Sequence, residues 1–329
     1  MTYYLGIDGG GSKTTCMLGD DTSLLATATT GPSNITRVGE ERARESMHSA
    51  IHQACAAAKV APQQIQRSCI GAAGAGREEI AGVVRRIVAE VIPQGVEVVG
   101  DMQIALQAAF GAGPGVIVIA GTGSIAYGRN AQGRTARAGG WGFAISDEGS
   151  AHWIGRRAVA ALLRAADSNS VEQNLVDPNS GKQSSPALSG LWREIQAAWN
   201  LDSLEKLARA ANSNPDFAAL LPAVVAAAGA GNDLAQQVLA QQVLTQAAEE
   251  LARLADLVLR RLFPEQATGS AVSMAMAGGV FCHVPMVRER FSNLVRTAHS
   301  QVALNDEVVE PVHGALQMAR RFSLQTQQS

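Results

Sequence analysis

Four cysteines are scattered along the 329 residues, at Cys16, Cys55, Cys69 and Cys282, and none stands in a CxxC pair. That spacing excludes a disulfide framework and a zinc site, and it fits a reducing compartment. Charge of one sign is missing as well: 27 Lys plus Arg stand against 29 Asp plus Glu, a net charge of -2, with no basic run or acidic tail. A nucleic-acid surface is therefore not expected, and a small molecule is the better partner. The longest apolar runs are too short or too broken by Ala and Gly to span a membrane. The N-terminus passes from MT straight into the strand-like YYLGID, so no signal peptide is expected and the cytoplasm is the expected location.

What is present is glycine, 33 residues of it, in a chain that is 47% hydrophobic and 17% charged. This is the composition of a globular protein with many tight turns. The length exceeds what one hydrophobic core supports, so two domains with a cleft between them are expected. Strands are predicted at Tyr3 to Asp8, Thr14 to Gly19 and Leu24 to Thr30, forming a meander opened by the turn GGGSK. Helix Glu40 to Ala58, buried strand Ser68 to Gly74, helix Glu79 to Val91, strand Val96 to Val99 and helix Ile104 to Phe110 follow. GAGPG marks a boundary, giving domains 1–114 and 115–329. Beyond it VIVIAGTGSIAYG repeats the strand, glycine turn and strand of LGIDGGGSKTTCMLG, which predicts two related halves. The remainder reads as a helix from Ser150, a polar loop from Ser168 to Ser189, Ala-rich helices to Phe263, a strand Val272 to Ala277 and a helix from Pro311, ending in a frayed LQTQQS.

Several segments carry chemistry. In DGGGSKT the glycines Gly9, Gly10 and Gly11 let backbone N–H groups approach a ligand, and Ser12, Lys13 and Thr14 add donors suited to phosphate oxygens. The segment is neither a Walker A loop nor GxGxxG before a helix. A ligand-free glycine hairpin explains it equally well on its own. Gly121, Thr122, Gly123 and Ser124 form a second such turn after a buried strand, and two turns facing each other could hold one polyphosphate. Gly278 and Gly279 follow a third buried strand, where a flat base could pass closely or a strand could simply end.

Ala138 to Gly155 gathers Gly140, Trp141 and the adjacent carboxylates Asp147 and Glu148 before a helix capped at Ser150. Carboxylates on vicinal hydroxyls and an aromatic against a ring suit a sugar; the bland reading is a pair of acids favouring a helix N-terminus. Asp101 ends a strand after Gly100 and could orient and deprotonate an attacking hydroxyl, or cap the next helix, or do both. Asn34, in GPSNIT, could bind hydroxyls or shape a turn. His48 and His52 have i, i+4 spacing without a third ligand and are left out of the site.

Taken in order, DGGGSKT, Asp101, IAGTGS, GGWG with SDEGS, and MAGGVF resemble the BadF/BadG/BcrA/BcrD ATPase-like family, over nearly the whole chain, and within it the N-acetylglucosamine kinases. The resemblance implies an α/β protein of two RNase H-like (actin-like ATPase) domains around a nucleotide cleft, commonly a homodimer. The first would carry one phosphate loop and the catalytic Asp; the second, the other loop, the adenosine motif and a helical insertion. ATP and Mg2+ would be the cofactors and an amino sugar the substrate, phosphorylated at its 6-hydroxyl. Carried over to this numbering, Asp8 would lie near the metal-bound phosphates and hold Mg2+ through water. Gly9 to Thr14 and Gly121 to Ser124 would hold phosphates, and Gly278 with Gly279 would pack near adenosine. Asp101 would be the base, and Asn34, Asp101, Thr122, Gly140, Trp141, Asp147 and Glu148 would line the sugar. Iron–sulfur activators of the same broad family need cysteines in their glycine loops, and GAAGAGRE and IAGTGS have none. The CxCGxxGC zinc motif of ROK kinases is also absent. Thr36 stands where some members place an aromatic, so glucosamine and N-acetylmuramic acid remain alternatives to N-acetylglucosamine, and an ATP-driven switch of the same fold is the non-enzyme alternative.

Overall fold

The computed structural model describes residues 1–175, 190–213, 215–229, 234–264 and 271–325. Two five-stranded sheets organise them. In the first, β1 (Tyr3–Gly9), β2 (Thr14–Gly19) and β3 (Leu24–Thr30) form an antiparallel meander, and β4 (Ile65–Ala72) and β5 (Val96–Gly100) add in parallel on the other side of β1, giving the order β3-β2-β1-β4-β5. In the second, β6 (Gly115–Ala120), β7 (Ser124–Arg129) and β8 (Thr135–Gly139) repeat the meander, with β9 (Val272–Ala277) and β10 (Val302–Val309) in parallel beyond β6. The strand order is the same in both, so the predicted echo between the halves is a repeat of topology. The α/β class with two sheet-based halves is as expected.

Helices cover the sheets because the inner strands are apolar on both faces. In the first half α1 (Ile35–Val38), α2 (Glu40–Ala58) and α3 (Glu78–Ala89) lead the chain between β3, β4 and β5. Met47, Ala50, Ile51 and Ala54 of α2 and Val84, Ile87 and Val88 of α3 are buried against Leu5, Ile7, Leu18 and Ile70. In the second half α5 (Ala151–Leu175), α6 (Gly190–Trp199), α7 (Leu204–Ala211), α8 (Leu221–Gly229) and α9 (Leu234–Leu262) lie between β8 and β9, with a 3-10 turn at Phe217–Leu220. α10 (Gly279–His283) and α11 (Pro285–Ala298) connect β9 to β10.

Two helices join the halves. α4 (Asp101–Phe110) leaves β5, and Ala105 and Leu106 pack on Ile117, Ala275 and Ala277 of the second sheet. α12 (Pro311–Gln325) leaves β10 and returns to the first sheet, where Ala315, Leu316 and Ala319 cluster with Tyr4, Met17 and Cys69. Glycine makes both approaches possible: a Cβ on Gly6 would lie 2.3 Å from Leu316 N, and one on Gly314 would lie 1.9 Å from Ile104 O.

Some expectations shift. The polar loop expected from Ser168 is still helical to Leu175, and Ser168 Oγ satisfies itself by donating to Arg164 O at 3.0 Å, one turn back. The rest of that segment, 176–189, lies outside the described residues, as do 326–329 of the expected frayed end. β8, α10, α11 and β10 were not anticipated. β8 and β10 are edge strands with weak patterns, formed because β7 and β9 offer them a ladder.

Candidate functional site

Both glycine turns sit at strand ends facing the junction of the halves. The first, Gly10 to Lys13, closes when Gly10 N donates to Lys13 O at 3.0 Å, and Gly10 O accepts from Ser33 N at 3.1 Å and Asn34 N at 3.2 Å. The second is the three-residue turn between Ala120 and Ser124, closed by Gly121 N on Gly123 O at 2.9 Å. Its carbonyls stand over the start of α5: Gly121 O accepts from Ala151 N at 2.9 Å and Thr122 O from His152 N at 3.3 Å. The turns touch. Ser12 Oγ and Thr122 Oγ1 are 2.7 Å apart, and a Cβ on Gly11 would lie 3.0 Å from Thr122 Oγ1. A Cβ on Gly121 would meet nothing within 4 Å, so this backbone borders open space.

Gly278, with φ +98°, passes under the second turn, where a Cβ would lie 2.4 Å from Ala120 O and 3.0 Å from Gly121 N. Gly279 opens α10. The third glycine motif is thus part of the same junction. Cys282, at the end of α10, lines a cleft of about 770 Å³ with Arg288, Ser292, Arg296 and Glu307, and its thiol feels the charge of Lys13 from the first turn.

Three carboxylates converge beside the turns. Asp8 is the last residue but one of β1, in register with Thr15 and Gly71. Burial first, and then the charge of Asp101, push its pKa up to about 7 against the pull of Lys13. Asp101 is the first residue of α4, and its Oδ1 accepts from Met102 N at 2.9 Å, so a helix-terminal role is real. Burial raises its pKa in spite of those amide contacts. Asp147 has left-handed backbone, φ +64°, which a non-glycine residue adopts at a cost. That conformation brings its carboxylate against the second turn, where a Cβ on Gly123 would lie 2.8 Å from Oδ2. Burial raises Asp147 to about 6, the Ser124 and Gly142 amides oppose this, and Glu148 and Asp101 add to it.

Other predicted residues hold the frame. Thr14 is fully buried, its hydroxyl on Gly31 O at 2.8 Å and Ser33 Oγ at 2.7 Å. Ser124 is buried and donates to Glu148 O at 2.7 Å, while the Glu148 carboxylate accepts from Ser146 Oγ at 2.8 Å. Asn34 Oδ1 caps α1, accepting from Thr36 N at 3.1 Å and Thr36 Oγ1 at 2.8 Å. Ser150 caps α5 as expected, its Oγ accepting from Trp153 N at 3.1 Å. Gly140 has φ +68° and packs on Ile125. Trp141 is 66% exposed with the Arg137 guanidinium 4.3 Å above its ring, on the same loop as exposed Phe143 and Ile145.

Sequence reasoning missed Ser33, which supports Thr14, and His152, wedged between Phe143 at 5.1 Å and Phe217 at 5.3 Å between ring centroids. Ser33 adjoins Asn34 and His152 follows the Ser150 cap, so both had a local signal. The ion pair of Arg37 with Asp216 had none, because its partners are far apart in the chain.

The residues fit a hydrated divalent cation better than a closed metal cage. Among the described residues no three His, Cys, Asp or Glu side chains are grouped to bind a metal alone. Asp8, held partly protonated by burial and by Asp101, is a hard oxygen ligand whose ionised form a cation would favour, and Mg2+ is commonly bound through one or two carboxylates plus waters and phosphates. No helix among the described residues is long and apolar enough to cross a membrane.

Known proteins of similar sequence and shape agree with this layout. The chain is 29% identical to the N-acetylmuramic acid/N-acetylglucosamine kinase of Clostridium acetobutylicum over 97% of this chain and 99% of that one. It is 31% identical to the N-acetyl-D-glucosamine kinase of Dictyostelium discoideum over 50% of this chain and 55% of the relative. A crystal structure of a provisionally named N-acetylglucosamine kinase from Chromobacterium violaceum superposes with a TM-score of 0.68 at 24% identity, covering 97% of this chain and 99% of that one, and so supports the fold. The model of the BadF/BadG/BcrA/BcrD ATPase family matches residues 5–319. With that match running from the first strand into the last helix, the chain belongs to the BadF/BadG/BcrA/BcrD ATPase family.

Proposed function

We propose that this chain is a sugar kinase that moves the terminal phosphoryl group of ATP to a hydroxyl of an amino sugar, with N-acetylglucosamine and its 6-hydroxyl as the first candidates. The observation that carries the reading is the meeting of two glycine turns, 2.7 Å apart at Ser12 and Thr122, beside electrostatically linked Asp8, Asp101 and Asp147. The open space beside Gly121, the first turn and Lys13 would hold the polyphosphate, with Lys13 supplying one positive charge. Gly278 and Gly279 support the second turn and lead into the cleft by Cys282, suited to the nucleoside. Asp101 would accept the proton of the attacking hydroxyl; its raised pKa makes it a stronger base than an ordinary aspartate. Asp147 and Asn34 would orient the sugar hydroxyls, and Trp141 would cover the ring. Mg2+, held near Asp8 through water, would offset phosphate charge when bound. We also place the domain division at 114/115, with α12 crossing back to complete the first half, and read the protein as a cytoplasmic homodimer.

The test is ADP release against a panel of N-acetylglucosamine, glucosamine and N-acetylmuramic acid, with product phosphate position read by NMR. Sugar-dependent turnover supports the kinase. ATP turnover indifferent to every amino sugar would replace it with an ATP-driven switch.

A further inference from the structure

The cleft suited to the nucleoside has walls of an unusual kind. At about 770 Å³ it falls within the range of about 300–1,000 Å³ usual for small-molecule sites, and such sites are mostly apolar. This one is not. One face of α11 supplies Arg288, Ser292, Asn293 and Arg296, and β10 supplies Asp306, Glu307 and Val308. Val308 is the one aliphatic side chain in this lining, so the cleft offers an aromatic base little apolar surface to stack on. Burial raises the pKa of Cys282 at the end of α10; of the charges around it, Lys13 of the first glycine turn and Arg288 oppose the rise and Glu310 adds to it. The cleft therefore adjoins the phosphate end of the proposed site.

The arginines of α11 are not equivalent. Arg290 pairs with Glu249 at 3.3 Å, and Arg296 pairs with Asp306 at 2.6 Å, joining helix to strand. Arg288 makes no ion pair among the described residues and is only partly exposed. Its backbone is fixed at both ends: its N–H donates to Val284 O at 3.2 Å, and its carbonyl accepts from the buried Ser292 hydroxyl at 2.9 Å. What is left over is a guanidinium on a firm base, lining the cleft. Such a group is planar, weakly hydrated and stacks on aromatic faces, so it can stand in for the missing apolar wall.

We propose that Arg288 holds the nucleotide by lying flat on its base, so that one guanidinium plane, not an apolar wall, sets the affinity for the nucleoside. The inference rests on the kinase reading for the placement of ATP, but its test reads binding and so fails separately. Calorimetric Kd values for adenosine, ATP and inorganic tripolyphosphate are measured on the full chain, on Arg288→Gln and on Arg288→Lys. Lysine keeps the charge and loses the plane, so both variants should weaken adenosine and ATP about tenfold while leaving tripolyphosphate within about twofold. Cys282, exposed where the other three cysteines are buried, marks the place: adenosine should slow its alkylation by N-ethylmaleimide in the parent protein. Loss of tripolyphosphate binding in step with ATP, recovery of adenosine binding in Arg288→Lys, or unchanged adenosine binding in Arg288→Gln would overturn the inference. So would a parent protein in which adenosine fails to bind or binds without shielding Cys282. ATP turnover indifferent to every amino sugar would remove the kinase reading and leave these binding results to decide the role of Arg288.

Discussion

Asp101 opens α4 and Asp8 lies one residue from the end of β1, each partly buried and each pushed toward its neutral form by burial. Their consequences differ. On the kinase reading Asp101 takes the proton, so Asp101→Asn should lower kcat by about 100- to 10,000-fold with little change in the KM for sugar, measured by ADP release. Asp8 gives a pH signature. Its folded pKa, about 7, lies above the ordinary value of 3.8, so between these limits the folded state holds a proton that the unfolded chain has lost. Stability contributed by that proton is lost as pH rises through this window, and above it the cost of the buried charge is fully present. Asp8→Asn removes the cost. Its Tm should therefore gain on the parent by a few degrees between about pH 5 and pH 8 in calorimetry, while activity is lost. An advantage that shrinks toward alkaline pH would show that Asp8 is not held in the neutral form.

The glycine turns separate two demands that sequence cannot tell apart, close packing and space for a ligand. At Gly278 a side chain would strike the Ala120 carbonyl, and its φ of +98° is strained for any other residue. At Gly121 a side chain would enter open space, and the backbone is not in the left-handed region. Gly278→Ala should thus lower Tm and activity together. Gly121→Ala should leave Tm within about a degree while raising the KM for ATP several-fold, because its methyl group occupies phosphate space and breaks no packing. A Gly121→Ala enzyme with unchanged KM would place the polyphosphate elsewhere. The α4 and α12 crossing is the structural counterpart, since Gly314 has only room for a hydrogen beside the Ile104 carbonyl.

Across the whole molecule, two sheets of the same order are tied by α4, α12, the contact of Ser12 with Thr122 and the ion pair of Arg37 with Asp216. Nucleotide and sugar should draw the same halves together. ATP analogue and amino sugar added jointly should therefore raise Tm by more than the sum of their separate shifts in differential scanning fluorimetry. Strictly additive shifts would mean that the two sites are independent. Much of this architecture was legible beforehand. The bounds of β2, β3, α2, β9 and the start of α12 follow from apolar periodicity, glycine turns and Pro311, which are local signals. The family resemblance located the motifs, because each glycine cluster ends a buried strand and such punctuation survives as sequence. Edge strands β8 and β10 were not legible, since their order comes from neighbouring ladders. Nor could sequence tell that Thr14 and Ser124 face the frame while Asp147 reaches the second turn through a left-handed backbone. By itself the sequence determined the strands, the turns and the residues with chemistry to offer, since those depend on short-range pattern and backbone freedom. Only the tertiary structure decided that turns 110 positions apart meet at 2.7 Å, and that Arg37 finds Asp216, because long-range contact is set by how whole sheets and helices pack.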